Sequence, residues 1–339
     1  MPYKFNKYFA SAKELFLNEF NIEWAFVLDS INLRQAQLFI GNRLRPQITF
    51  WGYLASLSHE QILQNNYNKI AKIAVSIELL HKASLLFDDW LDDDDARHGE
   101  PTFHVEFTPQ ITVIFALHLI SIAAKRIKDI VISENITSNQ YLQYIDTILN
   151  TIFAMSQGAL NEIMLSGDEL FDLEKVKEIV RLETSEIIGN SIQLGYIIGG
   201  GQKEQAAIML KHIGNQCGYL FQTMNDLEAF GNSIGNAEHK GSINFDIDNS
   251  RKNIAVAILY QMATKSDKNK IKTASGEEIS KIAVKYHLIG FIIDDMENIF
   301  KKMILDIQTL YKYGVSEEWI DNFCDFIKQV KIIAHKRLS

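Results

Sequence analysis

The stretch that decides how this chain is read is "LLFDDWLDDDDARHGEPTFH", Leu85 to His104. Six aspartates fall there within eight positions, behind an apolar entry and just ahead of Arg97. Asp88 and Asp92 are four apart, so on a helix they share one face, with Asp89 beside them. Like charges at that spacing cost roughly 0.2–0.5 kcal/mol per exposed pair, and burial pushes a carboxylate pKa strongly upward. Two explanations fit. One is a solvated acidic helix end, which is what acidic runs usually are. The other is a hard divalent cation such as Mg2+, held by one or two carboxylates and completed by water and phosphate oxygens. Extending the face back from Asp88 reaches Leu85, Ser84 and His81, so carboxylates and a wall of small and apolar side chains share one helix. Arg97 adds a cation suited to phosphate oxygens. Far upstream, "GNRLRP" (Gly41 to Pro46) contributes Arg43 and Arg45.

Around this stretch the chain reads as helical. Its 339 residues are 47% apolar, enough for a sizeable core. The four prolines stand at Pro2, Pro46, Pro101 and Pro109, so nothing after Pro109 breaks a helix in that way. Ile70, Ile73, Ala74, Ile77, Leu80 and Leu85 recur at helical spacing, as do Val176, Ile179, Val180, Leu182 and Ile187, and alternating strand patterns are scarce. Breaks are expected at "PQITFWGY" near Pro46, "RHGEPTF" near Gly99, "IIGGGQKE" around Gly200, "FGNSIGNAEHKGS" from Phe230, and "TASGEE" near Gly276. None is long or polar enough to be a linker, so a single all-α domain over residues 1–339 is expected.

The formal charge of −8 argues against a broad basic surface for nucleic acid and leaves room for a local cationic pocket. Cys217 and Cys324 form neither a CxxC nor a cluster, which argues against a disulfide frame or a zinc site and for a reducing, cytoplasmic setting. The longest apolar run, Ile111 to Ala124, contains His118 and is too short to span a bilayer, so a buried helix is expected there. Neither a signal core nor a lipidation box is visible, leaving at most peripheral membrane contact through a lipid substrate.

Five segments, "GNRLRP", "IELLHKASLLFDDWLDDDDARHGEPTFH", "RLETSEI", "FQTMNDLEAF" and "FDIDNSRKN", occur in an order and spacing similar to that of the trans-isoprenyl (polyprenyl) diphosphate synthases, over about residues 38–257. The resemblance implies an all-α bundle of the isoprenoid (terpenoid) synthase type around a deep central cavity, usually a homodimer. Two aspartate-rich helices then face each other across two or three Mg2+ ions and an allylic prenyl diphosphate. By position, Asp88, Asp89 and Asp92 would hold Mg2+, with Asn225 and Asp226 on the opposite side. Arg97, Lys240 and Arg251 fall where the family binds the allylic diphosphate, and Asp88, Asp92 and Arg97 are the catalytic candidates. Arg45, His81 and Gln222 match acceptor-side positions. Without the resemblance, His81 reads as a core histidine and Lys240 and Arg251 as surface cations. The small residues Ala83 and Ser84 leave the pocket floor open to a long donor, unless Leu80 closes it one turn deeper. "SQGALNE" (Ser156 to Glu162) also resembles the long-chain members.

The departures from the family pattern carry as much information. The lysine of its GKR motif is Asn42, the second arginine of RRG is His98, and its KT pair reads Glu183-Thr184, so positive charge is lost three times. The second motif, DDxxD in the family, is "NDLEA", with Asn225 and Ala229 in place of two aspartates. The donor half is intact and the acceptor half eroded. This pattern points to a Mg2+-dependent prenyltransferase that ionises an allylic diphosphate of farnesyl to geranylgeranyl length or longer. Its acceptor, unidentified by the sequence, would be something other than isopentenyl diphosphate. The alternative is ordinary chain elongation with isopentenyl diphosphate. A terpene cyclase is disfavoured because Ala229 and Ser233 leave the cyclase motif incomplete. A non-catalytic partner subunit is disfavoured by the intact "DDWLD".

Overall fold

The computed structural model describes residues 7–31, 43–97, 99–134, 136–227, 230 and 252–338. Fifteen α-helices are described: α1 (Lys7–Ile31), α2 (Leu44–Ala55), α3 (His59–Gln64), α4 (Asn68–Leu91), α5 (Phe103–Glu106), α6 (Pro109–Glu134), α7 (Ser138–Ile163), α8 (Leu173–Val180), α9 (Glu186–Ile198), α10 (Glu204–Leu227), α11 (Ile254–Met262), α12 (Lys265–Ile271), α13 (Gly276–Lys285), α14 (Leu288–Thr309) and α15 (Glu317–Leu338). The only strands among the described residues are β1 (Ala96–Arg97) and β2 (Glu100–Pro101), an antiparallel pair that folds the chain back after the aspartates. The fold is all-α.

Helix α4 is the spine. It packs along α6 and against α1 and α2, while α9 lies between α2 and α10. The sequence periodicity accounts for its burial: Ile70, Ile73, Ala74, Ile77 and Leu80 have no exposure at all. Burial of each such side chain contributes about 1.5–3 kcal/mol, so this row alone holds α4 in place. Where α2 crosses α9 the backbones nearly touch, and a Cβ added at Gly52 or Gly195 would strike the carbonyl of Ile192 or Thr49. The C-terminal helix is tied to α2 by the Trp319 indole N–H, which donates to the Trp51 carbonyl at 2.9 Å.

Local signals set several helix starts. Ser58–Gln61, Thr137–Gln140 and Ser275–Glu278 each form a reciprocal capping box, the last of them at the expected "TASGEE" break. The gap at Gly199–Lys203 is also as expected. Two expectations need correction. "PQITFWGY" is not a break: Pro46 sits in the first turn of α2, where its missing N–H costs nothing, and the segment continues as helix. Nor is the Ile111–Ala124 run fully buried. It belongs to the 26-residue α6, whose Ala116, Leu119 and Ala123 face α4 while Ile111, Ile114 and Leu117 are exposed. By length and composition α6 is sufficient to cross a bilayer, yet its inner face is part of the core. The "FGNSIGNAEHKGS" break lies outside the described residues, Phe230 excepted.

Candidate active site

The aspartates close α4. Asp88 lies in its last turn, and Asp92 caps it with helical φ −81° and ψ −9°, so both project from the same end. Burial raises the Asp88 carboxyl from its ordinary 3.8 to about 6; Lys252 and Arg97 pull it down, while Asp92 and Glu162 push it up. No hydrogen bond is among those causes. A half-buried carboxylate facing other carboxylates, with only through-space cations to offset it, fits a hard divalent cation.

Asp89, one residue on, points elsewhere. Its buried carboxylate accepts from Arg97 Nε at 2.6 Å and Nη2 at 2.5 Å. Burial alone would lower the Arg97 guanidinium, but the charge and hydrogen bond of Asp89 outweigh it and leave the pKa raised. Asp89, expected beside Asp88 and Asp92 on the metal, is thus paired with Arg97 through one of its oxygens. A rotation of about 100° per residue turns it off their face and onto Arg97.

On the neighbouring side, the N-terminus of α2 meets the middle of α4. Arg45 Nη1 lies 2.9 Å from His81 Nε2. Burial, then the charges of Arg45, Lys82, Arg97 and Arg43, holds the imidazole well below 6.5. The ring is thus neutral, accepting from Arg45 at Nε2 and carrying its proton on Nδ1. That Nδ1 and the Nε of Arg45 are buried donors without a partner among the described residues. Unpaired buried donors of this kind call for a partner, a ligand or an ordered water, since leaving them empty costs about 1–3 kcal/mol each. Arg43, in a left-handed conformation (φ 54°), pairs with Glu78 at 2.6 Å and lies over the Trp24 ring at 4.8 Å. Burial pushes Arg45 down to about 10 and Lys82 down to about 8, against the opposing pull of Glu78 in both cases.

Across the site, α8 and α9 form one continuous helix interrupted by a π-helical segment, Arg181–Ser185. Such bulges insert a residue and re-aim side chains. Here they present Leu182 and Glu183 to Gly158 of α7, so closely that a Cβ at 158 would collide with the Glu183 side chain. Lys252 reaches into the same place. Its ammonium pairs with Glu162 and lies 2.6 Å from Glu183.

The second motif is hydrogen-bonded into the fold at Asp226. Both Asp226 oxygens are engaged, one accepting from the Ile254 N–H at 2.6 Å at the start of α11 and the other from Gln222 Nε2 at 2.7 Å. Gln222 in turn receives the Thr184 hydroxyl at 3.2 Å. Asp226, expected on the metal, and Gln222, expected on the acceptor, are thus both hydrogen-bonded within the fold. Asn225 is half-buried on the same turn, and Lys240 and Arg251 lie outside the described residues. Among the described residues no three carboxylate, imidazole or thiol groups converge closely enough to cage a metal unaided. Asp88 and Asp92 are what remain, and two carboxylates suit Mg2+ when phosphate and water fill the other positions.

Of the expected cavity wall, Leu80 and Ala83 are fully buried and Ser84 is half-buried, its hydroxyl donating to the His81 carbonyl at 2.9 Å. An apolar hollow lies between α2, α10, α14 and α15 and is lined by Leu44, Ile48, Phe221, Met224, Phe300 and Phe326 among others. The sequence reading missed Lys252, Glu162, Glu78 and Lys82. Only Lys252 had a signal, a second cation directly after Arg251 in a chain that lacks one at 183.

Comparison with known proteins agrees with the all-α fold. The polyprenyl synthetase family model matches residues 33–292. A geranylgeranyl diphosphate synthase of Saccharolobus solfataricus is 22% identical over 305 residues, covering 87% of each chain. A short chain isoprenyl diphosphate synthase of Methanothermobacter thermautotrophicus is 24% identical over 254 residues, covering 72% of this chain and 71% of that one. In fold, the chain is similar to the crystal structure of a Corynebacterium glutamicum geranylgeranyl pyrophosphate synthase complexed with isoprenyl diphosphate and magnesium. The TM-score is 0.77 at 18% identity, over 99% of this chain and 100% of the other. With the family model spanning most of its length, the chain belongs to the polyprenyl synthetase family of prenyl-transferring enzymes.

Proposed function

We propose that the protein is a Mg2+-dependent prenyltransferase that ionises an allylic prenyl diphosphate of farnesyl to geranylgeranyl length or longer. The acceptor is held by a small anionic head group and is distinct from isopentenyl diphosphate. The observation that carries this reading is the division of the site. Asp88, Asp92, Arg97 and Lys252 gather at one end of α4. Arg45 and His81 hold two open donors further down the same helix.

Asp88 and Asp92 would hold Mg2+, which when bound supplies electrostatic stabilisation of a departing diphosphate. Arg97 has its Nε and Nη2 committed to Asp89, which aims the rest of the guanidinium and keeps it charged. The buried side chains around Leu80 and Ala83 exclude water from a carbocation. Arg45 Nε–H and His81 Nδ1–H orient the acceptor's head. With Asn42 and His98 in place of family cations, that pair suits a head carrying less charge than a diphosphate.

Ordinary elongation with isopentenyl diphosphate is the second reading, favoured by the retained Arg45–His81 pair. One incubation separates them: pure protein, Mg2+, farnesyl or geranylgeranyl diphosphate, and labelled isopentenyl diphosphate. Slow Mg2+-dependent release of diphosphate without a longer product supports the altered acceptor. Efficient elongation to a defined product discards it.

The exposed apolar side chains of α6 and α7, including Ile111, Ile114, Leu117, Leu149, Phe153 and Leu160, support assembly as a homodimer through that face. Light scattering should give twice the chain mass for the wild type and one chain mass for Phe153→Glu/Leu149→Glu.

A further inference from the structure

Lys252 is the first residue of the described segment that leads to α11, two positions before Ile254, with its half-buried ammonium between Glu162 of α7 and Glu183 of the π-helical segment. Drawing three charged groups partly out of water costs desolvation that their ion pairs must offset. This set is also unbalanced, with two carboxylates against one ammonium. Burial pushes Glu183 up to about 8, with Lys252 pulling it back and Glu162 and Asp88 adding to the rise. A brace needed only for packing has no use for the second carboxylate.

The surroundings show what the arrangement accomplishes. Lys252 is the strongest charge acting on Asp88, ahead of Arg97. Gly158 keeps α7 close enough for Glu162 and Glu183 to reach one ammonium from two helices. A lysine has three N–H donors, and two carboxylates engage two of them. A third N–H can be donated to an oxygen arriving near Asp88.

We propose that Lys252 contacts the donor's diphosphate on this wall, replacing a cation absent at position 183, and that Glu183 and Glu162 are positioning residues that hold its ammonium beside Asp88. The inference rests on the allylic-diphosphate reading and adds to it a residue that neither the motifs nor the resemblance assigns. It implies that the charge is portable: a lysine at 183 should serve once position 252 is neutral.

The probe is farnesyl thiodiphosphate, which does not ionise readily, titrated calorimetrically into the full-length protein with Mg2+. Glu183→Gln/Lys252→Gln removes the cation without stranding Glu183 as a bare charge, and should bind at least about tenfold more weakly than wild type. Glu183→Lys/Lys252→Gln should return to within about threefold of wild type, and Lys252→Arg should stay within that range. Thermal melting of each variant shows whether it is folded, and Lys252→Arg together with the relocated lysine still tests the inference if the neutral pair does not fold. Equal binding by the neutral pair overturns the proposal, as does a loss that the relocated lysine fails to restore. A wild type that does not bind the probe with Mg2+ overturns the donor reading itself.

Discussion

Asp89 and Arg97 stand on either side of the turn that ends α4, and two guanidinium nitrogens of Arg97 donate to a single oxygen of Asp89 at 2.6 and 2.5 Å. The aspartate is almost fully buried, so the pair is a fixed part of the site. Breaking such a pair from one side typically costs about 3–5 kcal/mol, because the remaining charge is stranded. Asp89→Ala should therefore lower the melting temperature and cut kcat with farnesyl diphosphate by more than tenfold, with Mg2+ affinity changed much less. A tenfold loss of Mg2+ affinity at unchanged stability would restore Asp89 to the metal.

Asp88 should impose an acid limit. Its pKa of about 6 means that Mg2+ must compete with a proton below that value. Apparent Mg2+ affinity should fall roughly tenfold per pH unit below about 6 and level off above 7. For the metal-free protein the sign is worked out separately. The folded state holds this proton more tightly than the unfolded state between about 3.8 and 6, so Asp88 makes stability fall as pH rises through that window. Asp88→Asn should abolish both dependences, which calorimetry with Mg2+ and melting curves across pH would register.

Asp226 should behave as a structural residue. An asparagine there can accept from the Ile254 N–H or from Gln222 but loses the charge that strengthens both bonds. Asp226→Asn should cost about 1–2 kcal/mol in chemical denaturation while leaving Mg2+ affinity within about threefold. The reverse result, an intact fold with much weaker Mg2+ binding, would contradict the geometry of this turn.

His81 should not titrate in the working range. Burial and four neighbouring cations keep it neutral, so the KM for the acceptor should show no histidine inflection between about pH 6 and 8. Because its folded pKa is depressed below 6.5, the unfolded chain takes up the proton first, and this group's contribution to stability is lost as pH falls below about 6.5. His81→Ala should raise the acceptor KM more than it lowers kcat. An inflection near 6.5 that disappears in His81→Ala would show the ring exposed and the Arg45 contact absent.

Much of the fold was legible because periodicity reports burial directly. The rows through Ile70–Leu80 and Val176–Ile187 are buried as spaced, even though a π-helical segment interrupts the second. The site was legible more selectively. His81 beside Arg45, and Asp88 with Asp92 at a helix end, follow from spacing along single elements and from motif position. Gln222 and Asp226 stood in the right motif, yet each hydrogen-bonds within the fold, because a motif position does not reveal which partner a carboxylate finds first.

Sequence alone determined the helical class, the register of α4 and the carboxylates that its last turn presents, since all of these depend on neighbours within a few residues. Only the tertiary structure decided which charges meet. Lys252 is 69 residues from Glu183 and 90 from Glu162, and no local pattern encodes a contact among three half-buried charges contributed by three separate segments. That contact forms because helix packing, with Gly158 allowing a close approach to Glu183, brings both carboxylates to the ammonium.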